Sequence, residues 1–108
     1  MTANLFADIP ERAKEEIIEI ISSGTNFRIE RIISYGQTSP ENFWYDKEES
    51  EWVVVLRGGA VIEFQNDAQV EMLSGDYISI PAHKKHRVKT TSQDEATIWL
   101  AFFIKDEE

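Results

Sequence analysis

The stretch Gly75-Asp76-Tyr77-Ile78-Ser79-Ile80-Pro81-Ala82-His83-Lys84-Lys85-His86 decides how the rest of the chain is read. Ser74-Gly75-Asp76 is a turn sequence, because glycine takes positive φ without steric cost and aspartate hydrogen-bonds nearby backbone. Tyr77, Ile78 and Ile80 are aromatic or β-branched, which favours a short strand over residues 77–80. Pro81 lacks the N–H a ladder needs and ends that strand. From His86 a second strand begins, with His86, Val88 and Thr90 on one face and Arg87 and Lys89 on the other. The basic pair is expected to face water, and His86 therefore to point inward.

Working outward, the same alternation of strand and turn recurs. Upstream, residues 69–73 follow an Asn66-Asp67 turn, and residues 51–57 and 60–65 flank Gly58-Gly59, a pair able to take the φ > 0 positions of a tight hairpin. Residues 27–35 form another strand, followed by a loop over 36–42 that contains Gly, Ser and Pro. Downstream, residues 97–104 complete a set of seven strands, and the charged tail 105–108 is expected to fray. Short strands separated by turns, with no helical crossovers, indicate an all-β sandwich or barrel rather than a parallel α/β sheet.

The first quarter reads differently. Asp8 can cap a helix, Pro10 suits its first turn, and Glu11 stands three residues after the cap. Ile17, Ile18, Ile20 and Ile21 form a stripe at helical spacing, and Ser23-Gly24 would stop it. One short N-terminal helix over residues 1–24, packed on a barrel formed by residues 25–108, is the expected organisation.

Two strands are apolar on both faces. One carries Trp52, Val54 and Leu56 against Val53 and Val55; the other carries Ile98, Leu100, Phe102 and Ile104 against Trp99, Ala101 and Phe103. A strand wet on one side alternates with polar residues, so something covers the second face. One short helix covers little, and a homodimer is expected.

Composition bounds the remainder. A chain of 108 residues and 12.5 kDa is expected to form one domain. Area scaling gives about 6,000 Å² of surface folded against roughly 18,000 Å² unfolded, enough burial for one core. Twenty acidic and 11 basic residues leave a formal charge of −9, which opposes nucleic acid and anionic membrane surfaces as partners. With no cysteine, disulfides and thiolate metal sites are excluded. The N-terminal sequence has no basic start leading into an apolar run, and no stretch approaches the ~18 apolar residues that span a bilayer. A cytoplasmic location is the expectation.

The motifs resemble those of the cupin family. Gly75, five residues, Pro81, and His86 five positions later match its second motif, with His83 in place of the family's second Gly and Thr90 in place of its Asn. Glu51, six residues and Gly58 match the end of its first motif. Across four intervening residues before Glu51, the family's His-x-His pair is replaced by Trp44-Tyr45-Asp46, and Gly36 lies two positions from the place of the opening Gly. The chain is similar to small one-domain cupins with Trp-Tyr-Asp in the first motif and Pro-Ala-His-x-x-His in the second. The resemblance implies a cupin double-stranded β-helix, or jelly-roll barrel, spanning residues 27–104.

In metal-bearing cupins the motif residues converge on one divalent ion. Carried over by position, Asp46, Glu51 and His86 are the candidate ligands here, and His83, three residues before His86 at a turn, adds a fourth. Two oxygens and two nitrogens suit Fe(II), Mn(II), Ni(II) or Zn(II). Two carboxylates in a barrel need a cation, a proton, a neighbouring Arg or exposure at a wet mouth. Arg31 shares a strand face with Ile29 and Ile33 and is a candidate to point inward. Trp44 and Tyr45, with Phe43, offer aromatic faces with polar edges that suit a small organic ligand, including a sugar ring. The alternative for the same aromatics is a plug at one end of the barrel.

No phosphate loop or nucleophile elbow is present, so nucleophilic catalysis has no support and no catalytic residue is assigned. Three functions stay open: a metal-dependent enzyme acting on a small molecule, a metal-free module that binds or senses a small ligand, and a dimeric structural unit. Polar groups at the motif positions favour the first two.

Overall fold

The computed structural model describes residues 1–66 and 68–106. The expectations for Asp67 in its turn and for Glu107 and Glu108 in the tail lie outside the described residues. Among the described residues eight strands run in chain order: β1 Ile17–Ser23, β2 Phe27–Ser34, β3 Ser50–Arg57, β4 Gly59–Phe64, β5 Gln69–Leu73, β6 Tyr77–Ile80, β7 His86–Thr91 and β8 Thr97–Ile104. A five-stranded sheet has the order β1-β2-β8-β3-β6 and a three-stranded sheet the order β5-β4-β7, with antiparallel pairing throughout. The fold is all-β, as the alternating strands and turns indicate, and is the jelly roll that the motif resemblance implies.

The N-terminal helix is not there. Residues 17–23 form β1, paired with β2 from Ile17 opposite Ile33 to Ser23 opposite Arg28, with a bulge between Ile20 and Ser22. Isoleucine is β-branched and loses side-chain freedom in a helix, whereas β2 offers these residues an open edge of matching apolar side chains. The intended cap also fails locally. Asp8 has φ 56°, in the left-handed region, whereas a helix N-cap takes extended backbone. The isoleucine spacing satisfies a helical stripe on paper, but tertiary pairing overrides it.

One core lies between the two sheets. Val53, Val55, Ile80, Trp99, Ala101 and Phe103 from the larger sheet meet Ala60, Ile62, Phe64 and Met72 from the smaller one. On the larger sheet's outer face the segment before β1 lies across β2. The buried Arg31 guanidinium holds it there, donating to the carbonyls of Leu5 at 3.0 Å and Ala7 at 2.6 Å and to the Glu19 carboxylate at 2.9 Å. Arg31 thus belongs to the outer face, opposite Glu30 and Ile32, which face between the sheets.

Gly58 and Gly75 are two of the three glycines on left-handed backbone among the described residues. Gly58 (φ 88°) ends β3, and a Cβ there would stand 2.6 Å from Thr97 Oγ1 and 2.7 Å from Thr97 Cα. Gly75 (φ 92°) has no heavy atom within 4 Å of that position. Gly75→Ala should therefore cost only the left-handed backbone penalty, about 1–2 kcal/mol. Gly58→Ala should cost clearly more, because backbone at Thr97 must also move. Urea unfolding of the two variants compares them, and equal losses would contradict the close approach at residue 58.

Candidate functional site

Between the sheets one end of the barrel opens into a cavity of about 320 Å³. Its floor is apolar, with Val53, Val88, Trp99 and Phe103, while Glu16, Ser39, Tyr45, Lys47, Glu51 and His86 bring polar groups to its walls. How those groups arrive is a matter of backbone pairing. The Tyr45 N–H donates to the His86 carbonyl at 2.7 Å and the His86 N–H to the Tyr45 carbonyl at 3.2 Å, an isolated antiparallel bridge. Extended chain alternates sides, so Tyr45 and Lys47 line the cavity and Trp44 and Asp46 do not.

The preceding loop is fastened to the same strand. The Ser39 N–H donates to the Val88 carbonyl at 2.9 Å, and Ser39 Oγ accepts from the Val88 N–H at 2.9 Å. Arg87, expected to face water, is largely buried and donates to the Ser39 carbonyl at 3.0 Å and to Glu63 at 3.2 Å.

His86 stands at the start of β7, 7% exposed, its ring between Tyr45 and Phe64 at centroid distances of 5.6 and 6.2 Å. Nδ1 lies 2.8 Å from the Lys84 carbonyl, an acceptor, so Nδ1 carries a proton and Nε2 is the nitrogen that titrates. Nε2 faces Glu51 Oε1 at 3.4 Å. Glu51 reaches this point from the inner face of β3, alternating with Trp52. Burial pushes the imidazole down, but hydrogen bonding to Glu51 and to the Lys84 carbonyl and the Glu51 charge outweigh burial and the opposing Lys47 charge. The net shift is upward. Burial likewise raises the Tyr45 phenol, with the Glu16 and Glu51 charges adding to it against a hydrogen bond with Ser39. Tyr45 thus keeps its proton at neutral pH.

The four candidate metal ligands separate into two pairs. Glu51 and His86 meet in the cavity, while Asp46 Oδ1 and His83 Nδ1 meet at 2.8 Å on the exposed turn, with side chains 41% and 65% exposed. Among the described residues no group of three or more histidine, aspartate or glutamate side chains is placed to hold a metal ion. A catalytic zinc site, for comparison, takes three protein ligands. The donors as arranged therefore do not fit one resident ion. Of the candidate ligand-binding residues, Tyr45 lines the cavity, Trp44 lies beside Arg87 with the guanidinium carbon 6.0 Å from its ring centroid, and Arg31 is on the far face of β2.

Lys47, Glu16 and Ser39 are among the cavity residues that the sequence did not reveal. Lys47 was signalled by its place two residues after Tyr45, once that segment is taken as extended. Glu16 had no signal while its segment read as a helix; its carboxylate accepts from Ser34 Oγ at 2.7 Å, and Ser34 in turn accepts from Trp99 Nε1 at 3.1 Å. Ser39 looked like an ordinary loop serine. His83, in the place where the family pattern has glycine, adopts φ 65°. Left-handed backbone costs roughly 1–2 kcal/mol for such a residue, while an exposed side-chain contact returns about 0–1 kcal/mol even when both partners are charged. The turn is thus held by more than its own contacts.

The comparisons agree with this architecture. The model of the cupin domain matches residues 31–103, and the chain belongs to the cupin family. A crystal structure from Ralstonia eutropha, named as a "putative mannose-6-phosphate isomerase", is 45% identical with a TM-score of 0.94, covering 98% of this chain and 99% of that one. A cupin superfamily protein of Desulfitobacterium hafniense is 19% identical (TM-score 0.76, covering 91% and 84%), and a Streptococcus pyogenes protein of unknown function is 17% identical (TM-score 0.79, covering 100% and 90%). These two show the fold alone. No curated protein matches the chain.

The pairing of Glu51 with His86 has a pH signature. The folded imidazole lies above its ordinary value of 6.5, so the pair stabilises the fold fully below about pH 6.5 and loses that contribution as pH rises through the folded value. Glu51→Gln should lower the NMR titration midpoint of the His86 ring and abolish this acid-side stabilisation. An unchanged midpoint would contradict the pairing.

Proposed function

We propose that this cupin binds a small, uncharged, hydroxyl-bearing molecule of monosaccharide size in the cavity between its sheets. The observation that carries the reading is the Glu51–His86 pair, 3.4 Å apart and largely buried, facing an apolar floor. A carboxylate accepts hydrogen bonds from hydroxyls, the protonated Tyr45 phenol and the Lys47 ammonium donate them, and Trp99 and Phe103 supply the apolar surface on which a sugar ring rests. A cavity of about 320 Å³ is at the small end of ligand sites. Metal-free binding suits this donor set better than a resident divalent ion, because Asp46 and His83 are engaged with each other rather than with Glu51 and His86.

The name of the Ralstonia relative points to a phosphosugar. Charge argues otherwise for this chain: Glu16, Glu30 and Glu51 all line the cavity, against Lys47 and the His86 imidazole, and Arg28 offsets Glu30 at 2.9 Å. A phosphate dianion would add repulsion at short range in a partly desolvated space. We further infer a homodimer, supported by the apolar outer face of the larger sheet. There Trp52 packs edge-on against Phe102 at 5.4 Å and beside Tyr77, which is 66% exposed. The absence of cysteine is compatible with a cytoplasmic location.

Calorimetric titration with D-mannose and with D-mannose 6-phosphate tests the ligand. The neutral sugar should bind more tightly than its phosphate, and His86→Ala should weaken it about tenfold or more, the usual loss for a buried hydrogen-bonding partner. Tighter binding of the phosphate would overturn the assignment. For the assembly, light scattering should give twice the 12.5 kDa chain mass; the mass of one chain would remove the dimer.

A further inference from the structure

His83 presents two features with no evident local reason: a left-handed backbone in a residue that is not glycine, and an imidazole fastened to Asp46 although both side chains are well exposed. Its backbone does something else as well. The His83 N–H donates to the Lys47 carbonyl at 2.8 Å. The turn therefore grips two successive residues of the segment facing it, Asp46 through the side chain and Lys47 through the main chain.

The consequence reaches the cavity through Lys47. With Tyr45 fixed to His86 on one side and the Lys47 carbonyl fixed to His83 on the other, the backbone of residues 45–47 has both ends tied, and the Lys47 side chain is directed inward. Its ammonium stands 4.5 Å from the centroid of Phe103 and 5.2 Å from that of Tyr45. Among the described residues Lys47 makes no ion pair. A half-buried ammonium held over two aromatic faces has donors left for a ligand.

We propose that Asp46 and His83 form a latch whose role is to position Lys47, and that Lys47 is the group in the cavity that selects ligands carrying an acceptor oxygen, a hydroxyl or carbonyl, at its end of the site. His83 and Asp46 are positioning residues; Lys47 touches the ligand. The second half rests on the binding function proposed above, and the first does not. The latch also accounts for a histidine where glycine would relieve the backbone: glycine would keep the turn and lose the hold on Asp46.

Acetylation of lysines by a water-soluble acetyl ester, followed peptide by peptide by mass spectrometry, reads the latch without any ligand. In the wild-type protein Lys47 should react several-fold more slowly than Lys105, whose side chain is 60% exposed. Asp46→Ala should release it, raising the Lys47 rate several-fold while the Lys105 rate stays unchanged. Asp46→Asn should keep the slow rate, because the amide oxygen still accepts from His83 Nδ1. His83→Gly should also raise the Lys47 rate while leaving thermal stability equal or higher, an outcome a purely structural role for His83 does not produce. A Lys47 rate in Asp46→Ala and His83→Gly within twofold of the wild type would overturn the latch. For the ligand-facing half, Lys47→Met should weaken D-mannose binding at least fivefold, with melting temperature retained. Unchanged binding in that variant, or no monosaccharide binding by the wild type, overturns that half and leaves the latch to be judged on the acetylation rates alone.

Discussion

Two backbone hydrogen bonds between Tyr45 and His86 organise everything at the open end of this barrel. They join an irregular segment to the first residue of β7 and fix which side of the chain faces in. Because extended backbone alternates, that one register places Tyr45 and Lys47 in the cavity and Trp44 and Asp46 outside it. A slip by one residue would exchange the two sets and put an aspartate and an indole where a phenol and an amine now stand. The bonds from Ser39 to Val88 and from Arg87 to the loop carbonyls secure the same register from the preceding loop.

The charges inside follow from what each group finds nearby. Glu51 is matched by His86, and Glu30 by Arg28, which also pairs with Glu49 and lies 4.1 Å from the Phe103 ring centroid. Glu16 is held by Ser34, a fully buried hydroxyl that also receives the Trp99 indole N–H. The polar wall is thus largely satisfied before any ligand enters. A newcomer carrying neutral donors and acceptors replaces water at little electrostatic cost, whereas a strongly charged one must disturb these pairs.

Much of the fold was legible because its signals are local. Gly75 before a strand, Pro81 after it and the Gly58-Gly59 junction punctuate the chain where the strands end, although that junction carries the chain from one sheet to the other, with only Gly58 at positive φ, rather than closing a hairpin; β5, β6, β7 and β8 have the bounds their alternation implies. The inward aim of His86 followed from strand parity once Arg87 and Lys89 were set on the opposite face, although Arg87 proves largely buried there against Glu63 and the Ser39 carbonyl. β1 was not legible, since four isoleucines in five residues satisfy a helical and an extended reading equally, and only the edge of β2 decides between them. Arg31 illustrates a related blind spot. Parity groups it with Ile29 and Ile33, but which face is the inside depends on a second sheet the sequence does not locate. The separation of Asp46 and His83 from Glu51 and His86 was hidden for a similar reason, because spacing in a motif gives the order of residues and not the side of the chain they occupy.

The central claim is that these four residues act as two independent pairs, one inside the cavity and one on its rim. Elemental analysis of untagged protein, beside the four single alanine variants at Asp46, Glu51, His83 and His86, tests it most directly. No first-row metal at one ion per chain should depend for its retention on all four residues. A stoichiometric ion lost in every one of the four variants would contradict it and would require the two pairs to close on a common centre.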